Sequence, residues 1–268
     1  MMDNLPDNIL KYIQNKEFKI NNIGLSASTI YIFDDIVLKI DKNISNAKNM
    51  VIIMKWLKGK IPVPEVICHE IYNNKSYLLM SKINGIISCD DYYLEHSEKL
   101  LMLISKAFKM LWSIDISNCP VIKDIDTKLK EARIRVENNI INKNNFKNAK
   151  FKDPEELLLW LENNKPEYEP VFSHGDFCLP NIILEGDYKI NGFIDLGDAG
   201  ISDKWYDITL CYISLKNNFN GTYGGKVYPN FDPNILFEVL GVEPNYKKIE
   251  YFTLLEELYY LKYFINKK

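Results

Sequence analysis

One short segment constrains this chain more than any other feature of its sequence. The run VFSHGDFCLPN contains Asp176 and, five residues later, Asn181. Asp195 follows fourteen residues after Asn181, and the two runs between them, 182–184 and 189–194, are typical of strands. We therefore predict that two strands separate the amide from the second carboxylate.

This order of side chains indicates a reaction. Kinase catalytic loops place an Asp, then an Asn five residues later, then a second Asp after the next strand, because phosphoryl transfer needs a positioned hydroxyl and neutralised phosphates. We interpret Asp176 as the catalytic group that accepts or orients the substrate hydroxyl proton, and Asn181 and Asp195 as Mg²⁺ ligands. Each residue alone could merely cap a turn or end a strand, but together they favour a kinase. His174 is expected to hold the loop.

Composition excludes several other classes. The 268 residues are 47% hydrophobic and 26% charged, which is ordinary for a globular chain of one large or two modest domains. A net charge of −3 with mixed signs lacks the basic footprint of a nucleic-acid-binding protein. No apolar run is long enough for a bilayer and the start lacks a signal pattern, so we expect no membrane partner and a cytoplasmic location. The scattered cysteines are expected to be reduced thiols.

The periodicity of the chain changes near residue 84. Before it, we predict helices at 5–14 and 45–57 and strands at 30–33, 36–40, 65–71 and 75–81. After it, helical spacing dominates up to residue 112, and further helices are predicted at 157–161, with Asp153 as N-cap, 237–240 and 252–264. The sequence therefore predicts an α+β chain with two lobes, a small antiparallel-sheet lobe (1–83) and a mainly helical lobe (84–268).

Several segments resemble the aminoglycoside 3′-phosphotransferase family. They cover most of the chain and occur in the family's order: 56–57, 59–64, 78–81, 113–117, 151–154, 172–181, 192–197, 203–208 and 254–258. The resemblance implies a protein-kinase-like fold and transfer of phosphate from a magnesium nucleotide, ATP or GTP, to a hydroxyl of an aminoglycoside antibiotic, at the 3′ position. Such a reaction confers antibiotic resistance. The lobe 1–83 would bind the nucleotide, and the lobe 84–268 would supply catalytic and acceptor-binding groups.

The same resemblance assigns further site residues. Lys39 corresponds to the family's phosphate-binding lysine. The other assigned positions are Ser26 and Ser28 in a nucleotide-positioning loop, Met80, Ser81 and Ile83 in an adenine-binding hinge, and Asp153, Glu256 and Glu257 as acids for a cationic acceptor. Asp198 departs from the family, which tends to carry arginine there, and its negative charge would either attract a cationic acceptor or hinder phosphate binding.

Two departures from the family keep other functions open. The helix 45–57 has no acidic residue, and Met50 stands where the family pairs a glutamate with its lysine, so Lys39 is either less firmly held or paired with Asp195. The segment 142–152 carries four lysines and no acid, which would repel a polycation unless it faces solvent. One alternative is a kinase of another small hydroxylated metabolite, which an acceptor screen would distinguish. Another is a nucleotide-binding protein with little transfer activity, which nucleotide binding without turnover would favour.

Overall fold

The computed structural model describes residues 5–21, 28–141, 143, 146 and 148–259. By their internal contacts the residues form two compact units. The first comprises the chain up to Leu103 together with Leu179–Ala199, and the second comprises Ile104–Cys178 and the chain from Gly200 onward. The lobe boundary at residues 83 and 84 stays a prediction. Within the described ranges no helix has both the length and the apolar character needed to span a bilayer.

The strands are β1 (Lys19–Asn21), β2 (Thr29–Ile32), β3 (Ile36–Asp41), β4 (Val66–Tyr72), β5 (Lys75–Ser81), β6 (Ile86–Ile87), β7 (Pro170–Ser173), β8 (Ile182–Glu185), β9 (Lys189–Phe193) and β10 (Gly200–Asp203). The helices are α1 (Asp7–Ile13), α2 (Ile44–Leu57), α3 (Asp91–Glu95), α4 (Ser97–Trp112), α5 (Ile125–Glu137), α6 (Pro154–Asn163), α7 (Lys204–Phe219), α8 (Ile235–Leu240) and α9 (Tyr246–Glu257).

The first unit contains an antiparallel sheet in the order β1-β2-β3-β5-β4. Its four predicted strands are present with ends within one residue of the prediction, whereas β1 was not predicted. Asn73 and Asn74 join β4 to β5 with φ angles of 47° and 56°, a left-handed conformation that asparagine tolerates. Ile9 and Ile13 of α1 pack with Leu38 and other buried residues of the sheet, which fixes α1 to the sheet.

A second, three-stranded sheet of the first unit has the order β6-β8-β9. The turn between β8 and β9 is held at two points, because the Tyr93 hydroxyl donates to the Gly186 carbonyl (2.8 Å) and the Lys99 ammonium binds the Asp187 carboxylate (2.7 Å). These contacts fix one end of the hairpin. The other end carries Asn181 and Asp195.

The second unit is mainly helical, with β7 and β10 paired antiparallel. The predicted start of α6 is confirmed, since Asp153 Oδ1 accepts a hydrogen bond from Glu156 N (2.9 Å) and Pro154 opens the helix. Helix α7, which was not predicted, is buried along most of its sixteen residues. Helix α5 and strands β6 and β10 were not predicted either.

Candidate active site

The end of the β8–β9 hairpin brings the two predicted metal ligands together. Ile182 pairs with Phe193 across the hairpin, and Ile194 N donates to the Asn181 carbonyl at 3.0 Å. Asn181 closes a 3-10 turn before β8, and Asp195 follows β9 in the left-handed conformation, with φ 61° and ψ 52°. Such sparsely populated backbone conformations are concentrated at functional sites. The neighbourhood of Asn181 and Asp195, expected from their spacing, is therefore built by strand pairing.

Lys39 lies at the same place. Its Nζ is 2.6 Å from Asp195 Oδ1, and its side chain is only 8% exposed while that of Asp195 is 39% exposed. A buried ammonium requires a charged or hydrogen-bonding partner, which Asp195 supplies. Of the two expectations for Lys39, the structure shows the pairing with Asp195.

Helix α2 offers no acid to Lys39. Met50 is buried within the first unit, and the sequence of α2, ISNAKNMVIIMKWL, has no carboxylate. The helix instead packs on the residues that follow Asp195, where the Asn49 side-chain amide donates to the Gly197 carbonyl (2.6 Å) and the Ala199 carbonyl (3.2 Å).

The donor set at this place suits magnesium. An asparagine amide oxygen and an aspartate carboxylate are hard oxygen ligands, and Mg²⁺ is usually held by one or two carboxylates together with phosphates and water. Across the described residues there is no group of three or more His, Cys, Asp or Glu side chains that could hold a metal ion. Asn181 and Asp195 thus fit a metal that arrives with a nucleotide better than they fit a metal held by protein ligands alone.

The predicted nucleotide residues of the first unit are placed as follows. Ser26 lies outside the described residues, and the Ser28 hydroxyl donates to Asp41 Oδ2 at 2.6 Å, at the end of β3. Met80 and Ser81 end β5, where Ser81 exchanges hydrogen bonds with Glu65 through its amide (2.9 Å) and its hydroxyl (2.8 Å).

The Ile83 side chain packs directly on Gly192 of β9. A Cβ atom at Gly192 would lie 2.2 Å from Ile83 Cδ1, so only glycine allows this approach without a shift. Residues 81–83 are therefore anchored by Glu65, the residue before β4, and by Gly192 of β9.

In the second unit, the loop before Asp176 is fixed by buried groups. His174 is fully buried, and its Nδ1 accepts a hydrogen bond from Asp176 N at 3.3 Å, which agrees with the loop-holding role expected for it. The Phe177 ring stacks on Phe108 with centroids 4.1 Å apart. These contacts constrain Asp176 from both sides, while Asp176 itself remains partly exposed.

Asp207 of α7 holds the same loop, and the sequence reasoning assigned it no role. Its carboxylate accepts hydrogen bonds from His174 N (2.7 Å) and Gly175 N (3.0 Å). Complete burial raises the pKa of Asp207 to about 6, although these hydrogen bonds act in the opposite direction. In the sequence, Asp207 is only an acid 31 residues after Asp176, and this spacing does not predict its contact with the loop.

Two further residues of the second unit lie in the electrostatic surroundings of Asp176. Burial, together with the negative charge of Asp176, raises the pKa of the Cys178 thiol well above its usual value, so this thiol is protonated at neutral pH. Burial also raises the pKa of Tyr223, and the negative charge of Asp176 adds to that effect. Tyr223 was not predicted as a site residue.

The predicted acceptor-binding acids have different surroundings. Asp153 caps α6, Glu256 is buried and accepts a hydrogen bond from the Tyr206 hydroxyl, and Glu257 accepts one from Asn148 Nδ2 at 2.8 Å. Burial raises the pKa of Glu257. Asp198 belongs to the first unit, in the 3-10 turn Leu196–Asp198, and is half-buried.

The lysine-rich segment of the second unit is partly neutralised. Lys143 forms an ion pair with Glu155, and Lys150 forms one with Glu250. The repulsion of a cationic acceptor expected from the sequence is therefore weakened by acids that the local pattern does not contain.

Comparisons with known proteins agree with this geometry. Residues 17–231 match the model of the phosphotransferase enzyme family. An aminoglycoside 3′-phosphotransferase of Enterococcus faecalis is 40% identical over 210 residues, which cover 77% of this chain and 76% of the relative. An enzyme of the same name from Campylobacter jejuni is 34% identical over 231 residues, which cover 84% and 85%.

Solved structures show the fold. The aminoglycoside phosphotransferase APH(3'')-Id of Streptomyces rimosus superposes with a TM-score of 0.76 at 20% identity, covering 93% of this chain and 95% of that one. An aminoglycoside-3'-phosphotransferase of type VIII gives 0.74 at 18% identity, covering 94% and 98%. The predicted α+β, protein-kinase-like fold is confirmed. This chain belongs to the phosphotransferase enzyme family, in the group of the aminoglycoside 3′-phosphotransferases.

Proposed function

We propose that this protein transfers the γ-phosphate of a magnesium nucleotide, ATP or GTP, to the 3′-hydroxyl of an aminoglycoside antibiotic. The observation that supports the proposal is that Asn181, Asp195 and Lys39 lie at one end of the β8–β9 hairpin, where the Asn181 backbone carbonyl accepts a hydrogen bond from Ile194 N and the Lys39 ammonium binds Asp195. A cytoplasmic location, where nucleoside triphosphates are available, belongs to the same proposal.

Each residue has a role that its surroundings support. Lys39 supplies a fixed positive charge for nucleotide phosphates, since its stem is buried and its ammonium is held at Asp195. Asn181 and Asp195 would hold magnesium, and the metal when bound would neutralise phosphate charge. Residues 81–83 would bind the base through backbone groups.

Asp176 orients the acceptor hydroxyl and accepts its proton. Its backbone is held by His174, and His174 is held in turn by Asp207, so the main chain that carries the Asp176 carboxylate is fixed. An oriented base of this kind contributes through positioning, which is the main protein contribution to phosphoryl transfer.

A cationic acceptor is supported by the acids of the second unit. Glu256 and Glu257 are adjacent on α9, and the charge of Glu256 is close enough to influence Cys178, two residues after Asp176. The partly exposed Glu257, together with the pairing of Lys143 and Lys150 with acids, favours a positively charged acceptor.

Steady-state turnover with a matched pair of acceptors tests the proposal. The purified protein is assayed with MgCl₂ and ATP or GTP, with a 3′-hydroxyl aminoglycoside and with its 3′-deoxy analogue. We expect nucleotide consumption and a phosphorylated product with the hydroxyl compound alone. Equal turnover of both compounds would refute the 3′ position, and no turnover of either would refute the acceptor class.

A further inference from the structure

The face of α2 that meets the residues after Asp195 carries two asparagines and no carboxylate. Asn46 and Asn49 are one helical turn apart, and both contact the turn formed by residues 196–199. All of these residues belong to the first unit. The contact therefore joins a helix without acids to the segment that carries a predicted metal ligand.

Asn49 makes the stronger connection. One amide nitrogen donates to two backbone carbonyls, Gly197 at 2.6 Å and Ala199 at 3.2 Å. An asparagine presents two donor hydrogens on this nitrogen, so both bonds can form at once, and the carbonyl partners fix which end of the amide faces the turn. The two bonds span the turn that starts directly after Asp195.

Gly197 allows the helix to come this close. A Cβ atom there would lie 2.0 Å from Asn46 Oδ1 and 2.5 Å from Asn46 Cγ, distances at which atoms overlap. The side chain of Asn46 thus packs on the bare Cα of Gly197. Asn46 and Asn49 together hold the turn by packing and by hydrogen bonds.

We propose that Asn49 is a positioning residue for magnesium–nucleotide binding, which fixes the backbone after Asp195 in place of the ion pair that a helix acid would make with Lys39. In the absence of such an acid, Lys39 relies on Asp195, so the position of Asp195 determines both the lysine and the metal ligand. Asn49 anchors the peptide units that follow this single carboxylate. The inference rests on the proposed roles of Asp195 and Asn181.

The test separates metal-dependent binding from general stability. ATP and GTP binding is measured by calorimetry in MgCl₂ and in EDTA for the wild type, Asn49→Ala and Asn49→Asp. Asn49→Asp keeps the volume of the side chain but replaces the donor with a carboxylate that faces two carbonyls. Asn163→Ala is the matched control, because its amide also donates to a backbone carbonyl, at 2.8 Å from Leu159 O, on an exposed helix end.

We expect the gain in nucleotide affinity that magnesium gives to fall about tenfold in Asn49→Ala, as the loss of two ordinary hydrogen bonds predicts. The loss should be greater in Asn49→Asp and absent in Asn163→Ala. Affinity in EDTA should fall by less than affinity in MgCl₂ in the Asn49 variants, because only the contribution of Lys39 is then affected, and it should be unchanged in Asn163→Ala. In turnover assays, KM for the magnesium nucleotide should rise while KM for the acceptor stays constant.

Two results would overturn the inference about Asn49 and leave the proposed metal ligands in place. One is an unchanged magnesium effect in both Asn49 variants, and the other is an equal loss of affinity in MgCl₂ and in EDTA, which would mean that Asn49 only supports the fold. A wild type whose nucleotide affinity does not respond to magnesium would overturn the proposed metal ligands, and this inference with them. The wild-type titration therefore tells the two failures apart.

Discussion

Replacing Lys248 by methionine should destabilise the second unit, because the buried carboxylate of Asp203 loses its cationic partner. Lys248 lies on α9 with a side chain 5% exposed, and its Nζ is 2.9 Å from Glu169 Oε1 and 3.2 Å from Asp203 Oδ2. Asp203 is completely buried, whereas Glu169 is partly exposed and also binds Lys204 at 2.6 Å. Methionine keeps most of the apolar stem but leaves the carboxylate of Asp203 without this cation.

The expected loss in the free energy of unfolding depends on which carboxylate is left buried without its cation. Breaking a buried ion pair by removing one member costs about 3–5 kcal/mol, because the other charge stays buried without compensation. Asp203 keeps two backbone hydrogen bonds, from Glu169 N at 2.9 Å and Trp205 N at 2.8 Å, which places the expected loss at the lower end, about 3 kcal/mol. Urea unfolding at pH 7 measures it, with the exposed neighbour Lys247→Met as the control.

The dependence on pH gives a second check. Burial raises the pKa of Asp203, and Lys248 opposes that rise, so removing Lys248 should raise the pKa further. When the pKa of a carboxyl group is raised in the folded state, the folded protein loses stability as the pH increases towards that pKa. The cost of Lys248→Met should therefore be smaller at pH 5 than at pH 7, and Asp203→Asn should recover part of it. A cost below about 1 kcal/mol at pH 7, the range of an exposed pair, would refute the reasoning.

Three further predictions concern the reaction and the loop. Asp176→Ala should abolish transfer and leave nucleotide binding intact, since the loss falls on the acceptor hydroxyl; unchanged turnover would remove Asp176 from its role. Asp195→Ala should weaken magnesium–nucleotide binding itself, as measured by calorimetry, and intact binding would contradict the ligand assignment. A pKa of about 6 for Asp207 means that wild-type stability falls as the pH rises from about 4 through 6, by about 3 kcal/mol for this group. Asp207→Asn should lack that fall in urea unfolding, and parallel pH curves for the two proteins would show the pKa to be ordinary.

Much of the first unit could be predicted because its signals are local. The strands β2 to β5 are short β-rich runs bounded by turn residues, and the left-handed Asn73 and Asn74 mark one of those turns directly. The start of α6 could likewise be predicted from Asp153 as its N-cap. Such features depend on residues within a few positions of one another.

The elements that were missed have physical reasons. Helix α7 is buried on nearly all sides, so it shows no polar face against which an apolar stripe could be recognised. Strand β6 has two residues, too few for any alternation. Helix α5 did carry a signal, because Asp124 caps it and Ile125, Leu129, Ala132 and Val136 are buried at helical spacing, yet its many charged residues mask the stripe.

The site divides in the same way. Asp176, Asn181 and Asp195 were predicted from spacing, since the chemistry itself fixes the order of these groups along the chain. Asn49 donates to carbonyls 148 and 150 residues away, and Asp207 holds amides 32 and 33 residues away. No local pattern records contacts of that length, so these supporting residues required the structure.

The loss of the helix acid need not disable the site, because one carboxylate can serve two cations. A carboxylate has two oxygens with about four lone-pair directions. Lys39 is 2.6 Å from Oδ1 of Asp195, and a carboxylate that holds an ammonium can also bind a divalent ion that arrives with phosphates. In this arrangement both Lys39 and the metal depend on Asp195, since displacing Asp195 would disturb the two together. Asn49 of α2 donates to the carbonyls of the turn after Asp195, and these bonds stabilise the position on which both the lysine and the metal depend.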